Sequence, residues 1–154
     1  MTTKFAPPAT PQPRASTVAW PRMVGDVMSR AVVVAYPGAT AEDIARALCR
    51  DGVDIVPVID EDRRVIGVVS AFDLLTPALP ERPGETHRVI TARELMTSPP
   101  ITTTVSAPIA EAGARMVRHG VHSLPVATRD GVLVGVVART DIVRAFLGLE
   151  DRAT

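Results

Sequence analysis

The sequence predicts a mixed fold, α/β in content and α+β in layering, made of two β-α-β-β-α units packed about a pseudo-two-fold axis. Three observations predict it. Sliding the chain along itself by 68 residues, without a gap, places Met28 on Met96, Gly52-Val53 on Gly120-Val121 and Pro57-Val58 on Pro125-Val126. The same register places Asp62 on Asp130, Gly67-Val68-Val69 on Gly135-Val136-Val137 and Asp73 on Asp141, so the chain is a tandem repeat. Hydrophobic periodicity then repeats in the same order in both copies. Finally, a unit of about 50 residues buries too little surface to stand alone, so the copies must share a core.

The elements follow in order. Residues 31–36 and 100–104 are rich in β-branched side chains and predict the first strand of each copy. Residues 40–50 then place Ile44, Ala45, Ala47 and Leu48 on one helical face, with Thr40 and Asp43 spaced as a capping box. The matching helix, residues 106–119, uses Ile109, Ala112, Gly113, Met116 and Val117. Next come two apolar strands per copy, IVPVI and VIGVVS, then LPVAT and VLVGVVA, joined by the turns DEDR and RDG. Their nearly unbroken apolar character fits strands covered on both faces. Pro57 and Pro125 predict that their strand lies at an edge or ends there. A short helix closes each copy, after Ser70 and after Arg139.

The remaining segments have a different composition. Residues 1–22 hold five of the 14 prolines and little periodicity, and read as a flexible arm whose Trp20 docks on the domain. Copy 1 spans 23–75, a Pro-rich linker 76–90, copy 2 91–147 and a tail 148–154. Of the 154 residues 46% are hydrophobic but only 3% aromatic, so the core must be built from Val, Ile, Leu and Ala. The chain has no net charge, which argues against nucleic acid as a partner. It has no apolar run of membrane-spanning length and no secretory pattern at its start, so a soluble cytoplasmic protein is expected. One cysteine excludes an internal disulfide.

Four features could carry chemistry. The junctions GVVSAFD (67–73) and GVVARTD (135–141) place a carboxylate, Asp73 or Asp141, at a helix start. There it can accept hydrogen bonds from paired hydroxyls such as those of a ribose, with Gly67 or Gly135 letting a flat ligand approach. The structural alternative is capping: Ser70 and Asp73 have capping-box spacing, whereas copy 2 has Ala138, leaving Thr140 to cap instead. Both readings stand on the residues. The second feature is the pair of strand-start segments, Asp54-Ile55-Val56 and His122-Ser123-Leu124, which would lie beside the junctions. His122 there could touch a phosphate or a base, or be a partly exposed polar residue and nothing more. Third, His119 and His122 form H-x-x-H, but only His87 and Cys49 could complete a metal site, and Cys49 aligns with the expected core residue Val117. No metal is expected. Fourth, no nucleophile elbow, phosphate-cradling glycine loop or repeated histidine–acid pair is present, so no catalytic residue is assigned.

These motifs resemble those of the CBS domains, named after cystathionine β-synthase. The likeness rests on DVMS (26–29) with ELMT (94–97), GVDIVPVID with GVHSLPVAT, and GVVSAFDLL with GVVARTDIV, over residues 23–147. The resemblance implies a regulatory module with two clefts that bind AMP, ADP, ATP or S-adenosylmethionine as a regulatory ligand rather than a cofactor. It implies that Asp73 with Ser70, and Asp141 with Thr140, hold ribose hydroxyls. Adenine would lie against residues 54–56 and 122–124, with further backbone contacts near Val33 and Thr102. Arg139 and His122 are the phosphate candidates, while Asp54 would repel a phosphate. The resemblance also implies a homodimer through the closing helices and a separate regulated protein. The alternative is a ligand-free interaction or dimerisation scaffold with degenerate clefts.

Overall fold

The computed structural model describes residues 22–78, 83–84 and 88–149. The arm before Arg22 with its Trp20, most of the linker with His87, and the tail from residue 150 lie outside the described residues. The order is α1 (Val24–Val27), α2 (Ala41–Asp51), β1 (Ile55–Ile59), β2 (Val65–Ser70), a 3-10 turn (Phe72–Leu74), α3 (Leu75–Ala78), α4 (Ala92–Leu95), α5 (Ile109–His119), β3 (Ser123–Ala127), β4 (Leu133–Ala138) and α6 (Arg139–Leu147).

Helix α2 forms where its sequence asks for it. The Thr40 hydroxyl accepts from the Asp43 N–H while the Asp43 carboxylate accepts from Thr40, and Gly52 ends the helix in the left-handed region at φ 62°. Helix α5 begins three residues later than its pattern predicts. Proline disfavours helical geometry in the residue before it, and Pro108 is itself extended, so Ala107 stays outside the helix. Val117 also departs from expectation. It sits at the edge of the apolar stripe centred on Ile109, Ala112 and Met116 and is 84% exposed.

The first strand of each copy shrinks to one parallel bridge, Ala35 to Val58 and Thr103 to Val126. The cause is proline. The Ala35 N–H donates to the Pro57 carbonyl and the Ile59 N–H to the Ala35 carbonyl, both at 2.9 Å. Extending the ladder backwards would need an N–H from Pro57, which has none. Thr103 meets the same limit at Pro125. Each sheet is therefore a two-stranded antiparallel hairpin, β1-β2 or β3-β4, with the proline on the edge strand as expected.

The pseudo-two-fold axis is legible in the contacts between halves. Arg64 and Val132, equivalent positions, bridge each other, flanked by Val65 N–H to Gly131 carbonyl (2.9 Å) and Leu133 N–H to Arg63 carbonyl (3.0 Å). The opening segments then cross over. Ser29 exchanges two hydrogen bonds with Val136 of the second half, and Thr97 exchanges two with Val68 of the first. Val24, Val27 and Met28 consequently pack in the cluster of the second half, around Leu124, Val126 and Val137. Ala92, Leu95 and Met96 complete the cluster of the first half, around Ile44, Val56 and Val69. Where one shared core is expected, there are two, each closed by a segment from the other copy.

Candidate functional site

The antiparallel register pairs Ile55 with Ser70 and Ser123 with Ala138, so each strand start lies beside its strand-to-helix junction. A backbone hydrogen bond closes each corner. The Ala71 N–H donates to the Asp54 carbonyl (3.4 Å) and the Arg139 N–H to the His122 carbonyl (2.8 Å). Asp54, Ser70 and Asp73 thus form one corner, and His122, Arg139, Thr140 and Asp141 the other.

Each aspartate accepts from the residue three positions before it. Asp73 Oδ2 accepts from the Ser70 N–H (2.7 Å) and from the Ser70 hydroxyl (2.8 Å). Asp141 Oδ2 accepts from the Ala138 N–H (2.7 Å). Thr140 does not replace the missing serine: the cap residue is Ala138, and Thr140 lies exposed in the first turn of α6. The second oxygen, Oδ1, of each aspartate accepts no hydrogen bond among the described residues.

The other candidates divide by burial. Asp54, His122 and Arg139 expose their side chains, whereas Ile55, Val56, Ser123 and Leu124 are buried and leave little but backbone for a ligand to meet. Val33 packs against the first cluster. Thr102 is half-buried, and its carbonyl already accepts from Arg115 Nη1 (3.1 Å).

Gly67 and Gly135 answer to a different demand from the one the sequence suggests. A Cβ on Gly67 would lie 2.5 Å from Met96 Sδ, and one on Gly135 would lie 2.8 Å from the Ser29 carbonyl oxygen and 2.9 Å from Met28 Sδ. The glycines make room for the crossing methionines of DVMS and ELMT. His119, His122 and Cys49 are exposed, and no cluster of three or more His, Cys, Asp or Glu side chains suited to a metal occurs among the described residues.

One concavity escaped the sequence reading. A cavity of about 350 Å³ lies between α2 and residues 34–36, lined by Val34, Tyr36, Asp43, Ile44, Ala47 and Val56 among others. It includes Val56 but none of the ribose candidates. Asp43 on its wall is held below the usual carboxylate range, chiefly by the Thr40 hydroxyl and then by the Thr40 N–H. The signal that could have revealed it is a mismatch in the repeat, Ala47 against Arg115.

The family model for the CBS domain matches twice, at residues 24–77 and 92–148. The chain belongs to the CBS domain family. The described residues form a CBS pair, and solved CBS pairs share its architecture. CBSX2 in complex with AMP is 30% identical, with a TM-score of 0.71 over 82% of this chain and 97% of that one; CBSX2 is a protein of Arabidopsis thaliana. The CBS pair of protein MJ0100, solved with 5′-methylthioadenosine and S-adenosylmethionine, has a TM-score of 0.73 over 84% of this chain and 98% of that one. At 22% identity it speaks for the fold alone. Protein MK0525 of Methanopyrus kandleri is 31% identical over 121 residues, 79% of this chain and 61% of the relative. The chain also matches two homoserine O-acetyltransferases, of which it spans only 23% and 24%. No helix among the described residues is long and apolar enough to cross a membrane.

Proposed function

We propose that this CBS pair is a non-enzymatic regulatory module that binds an adenosine-containing ligand at its strand-to-helix corners and signals through its conformation or assembly. One observation carries the reading. Each half joins a strand start to a helix-start carboxylate whose Oδ2 is held by backbone and whose Oδ1 accepts no hydrogen bond among the described residues. The 30% likeness to CBSX2, solved with AMP, supports it. A carboxylate oriented in this way offers an acceptor to the two hydroxyls of a ribose, a charge-assisted pairing. Asp73 with Ser70 would hold one ribose and Asp141 with Thr140 the other.

The corners differ in charge. His122 and Arg139 sit together in the second half and suit a phosphate, whereas Asp54 stands at the equivalent place in the first and repels one. Phosphorylated ligands such as AMP or ATP therefore favour the second corner, and an uncharged or cationic adenosine compound the first. The signal would pass to a separate protein through a homodimer. Exposed Phe72, Leu75, Val143, Phe146 and Leu147 at the closing helices supply the apolar surface for it.

Isothermal calorimetry with AMP, ATP and S-adenosylmethionine tests the reading. Asp141→Ala should abolish AMP binding, and Asp73→Ala should abolish binding at the first corner. Failure of every adenosine compound to bind at millimolar concentration, or unchanged affinity in both variants, rejects it.

A further inference from the structure

The second half places a cationic side chain of the protein at the position equivalent to the open wall of the cavity beside α2. Sixty-eight residues on, Val34 becomes Thr102, Asp43 becomes Glu111 and Ala47 becomes Arg115. Arg115 Nη1 donates to the Thr102 carbonyl (3.1 Å), and its Nη2 lies 3.4 Å from Glu111 Oε1. The guanidinium thus bridges a backbone carbonyl and a carboxylate at the helix–strand seam.

The first half keeps both acceptors and lacks the cation. The Val34 carbonyl accepts no hydrogen bond among the described residues, and Asp43 accepts from Thr40 through Oδ2 only. Ala47 leaves the intervening volume open, and Tyr36 stands on the wall where the second half has Thr104. We propose that this cavity is a binding site for a guanidinium group, the chemical group that the second half carries at the equivalent position and pairs with the equivalent two acceptors.

The chemistry favours this group over others. A guanidinium presents five donors in a planar fork, enough to meet a carbonyl and a carboxylate together. It is more weakly hydrated than an ammonium, so walls of Ile44 and Val56 cost it less, and it stacks on aromatic faces such as that of Tyr36. Asp43 is ionised at neutral pH, since Thr40 holds its carboxyl low, and an anionic ligand would be repelled. Nearby Arg46 does not take the place, because it pairs with Glu42 on the exposed face of α2. The site shares Val56 with the strand-start segment but no ribose candidate, so it stands or falls apart from the adenosine reading.

The test is an NMR titration of the full chain with ethylguanidinium, using ethylurea as a neutral control of similar shape. Saturable amide shifts are expected at residues 34–47, with ethylurea at least about tenfold weaker because it lacks the charge-assisted bonds. Ala47→Arg should abolish them by supplying its own guanidinium. Arg115→Ala should add a second saturable set at residues 102–115. A further arm with N-acetylarginine methylamide separates the sources: tighter binding than ethylguanidinium points to an arginine side chain of a peptide, equal binding to a small molecule. Equal shifts with ethylurea, unchanged binding in Ala47→Arg, or no saturable shift at tens of millimolar overturns the proposal.

Discussion

The two halves hold each other through the same backbone bridges and differ in the side chains at their corners and at the helix–strand seam. Every bridge between them has its symmetric mate: Ser29 with Val136 and Thr97 with Val68, Met23 with Pro108 and Thr91 with Thr40. Side chains at the corners and the seam have diverged. Asp54 stands against His122, Ser70 against Ala138, and Ala47 against Arg115. Crossing segments must satisfy buried backbone groups and fill a core, so drift there is costly. These side chains bear no such constraint, which lets one duplicated scaffold carry two unlike corners.

This comparison can be broken most severely at the crossing glycines. Gly135→Ala drives a Cβ into the Ser29 carbonyl and Met28, and Gly67→Ala drives one into Met96 down to its own Cβ. Each should cost about 1–3 kcal/mol, the range for overpacking, read as a lowered midpoint in urea unfolding. If the halves are equivalent as interlocked partners, the two losses should be similar. A variant that loses nothing would show that the crossing segment detaches freely.

A smaller and opposite effect is expected at Gly113, the second-half equivalent of Ala45. A Cβ there would meet Ile142 only at 3.8 Å, ordinary contact distance. Gly113→Ala should stabilise by about 1 kcal/mol through helix propensity. A lower melting temperature would count against the open space at this seam.

The smallest effect concerns pH. Two hydroxyl-bearing capping boxes, Thr40–Asp43 and Thr91–Glu94, meet beside the first half, and Pro108 and Met23 take their places in the second. Thr40 holds the Asp43 carboxyl below its ordinary value, and the Thr91 N–H and then its hydroxyl do the same for Glu94. A depressed folded-state pKa gives stability that is present above the unfolded value, near 4, and lost as pH falls through the folded one. Amide exchange at the start of α2 and α4 should therefore quicken below about pH 4 more than at the start of α5. Equal acceleration at all three would remove this distinction between the halves.

Much of the fold was legible because the repeat made the same statement twice. The hairpins, their turns and the capped helix α2 follow from alternation, turn chemistry and Thr40–Asp43. The first strand was overread, because Val-rich residues 31–36 have the right composition but a partner strand that lacks an N–H at Pro57. At the candidate site, the association of Asp54 with Asp73 and of His122 with Asp141 was implied by hairpin register. The role of Gly67 and Gly135 was not, since their neighbours come from segments a long way off in the chain.

By itself, then, the sequence determined the duplication, the order of elements, the family resemblance and the residues at each corner, since all of these are local patterns or comparisons of the chain with itself. Only the tertiary structure decided that the opening segments exchange partners. It also decided that the carboxylates of Asp73 and Asp141 each keep one oxygen without a hydrogen bond among the described residues, and that a cavity lies beside Ala47 while the equivalent Arg115 bridges two acceptors. These depend on which surfaces meet across the pseudo-two-fold axis and at the helix–strand seam. No local periodicity encodes that.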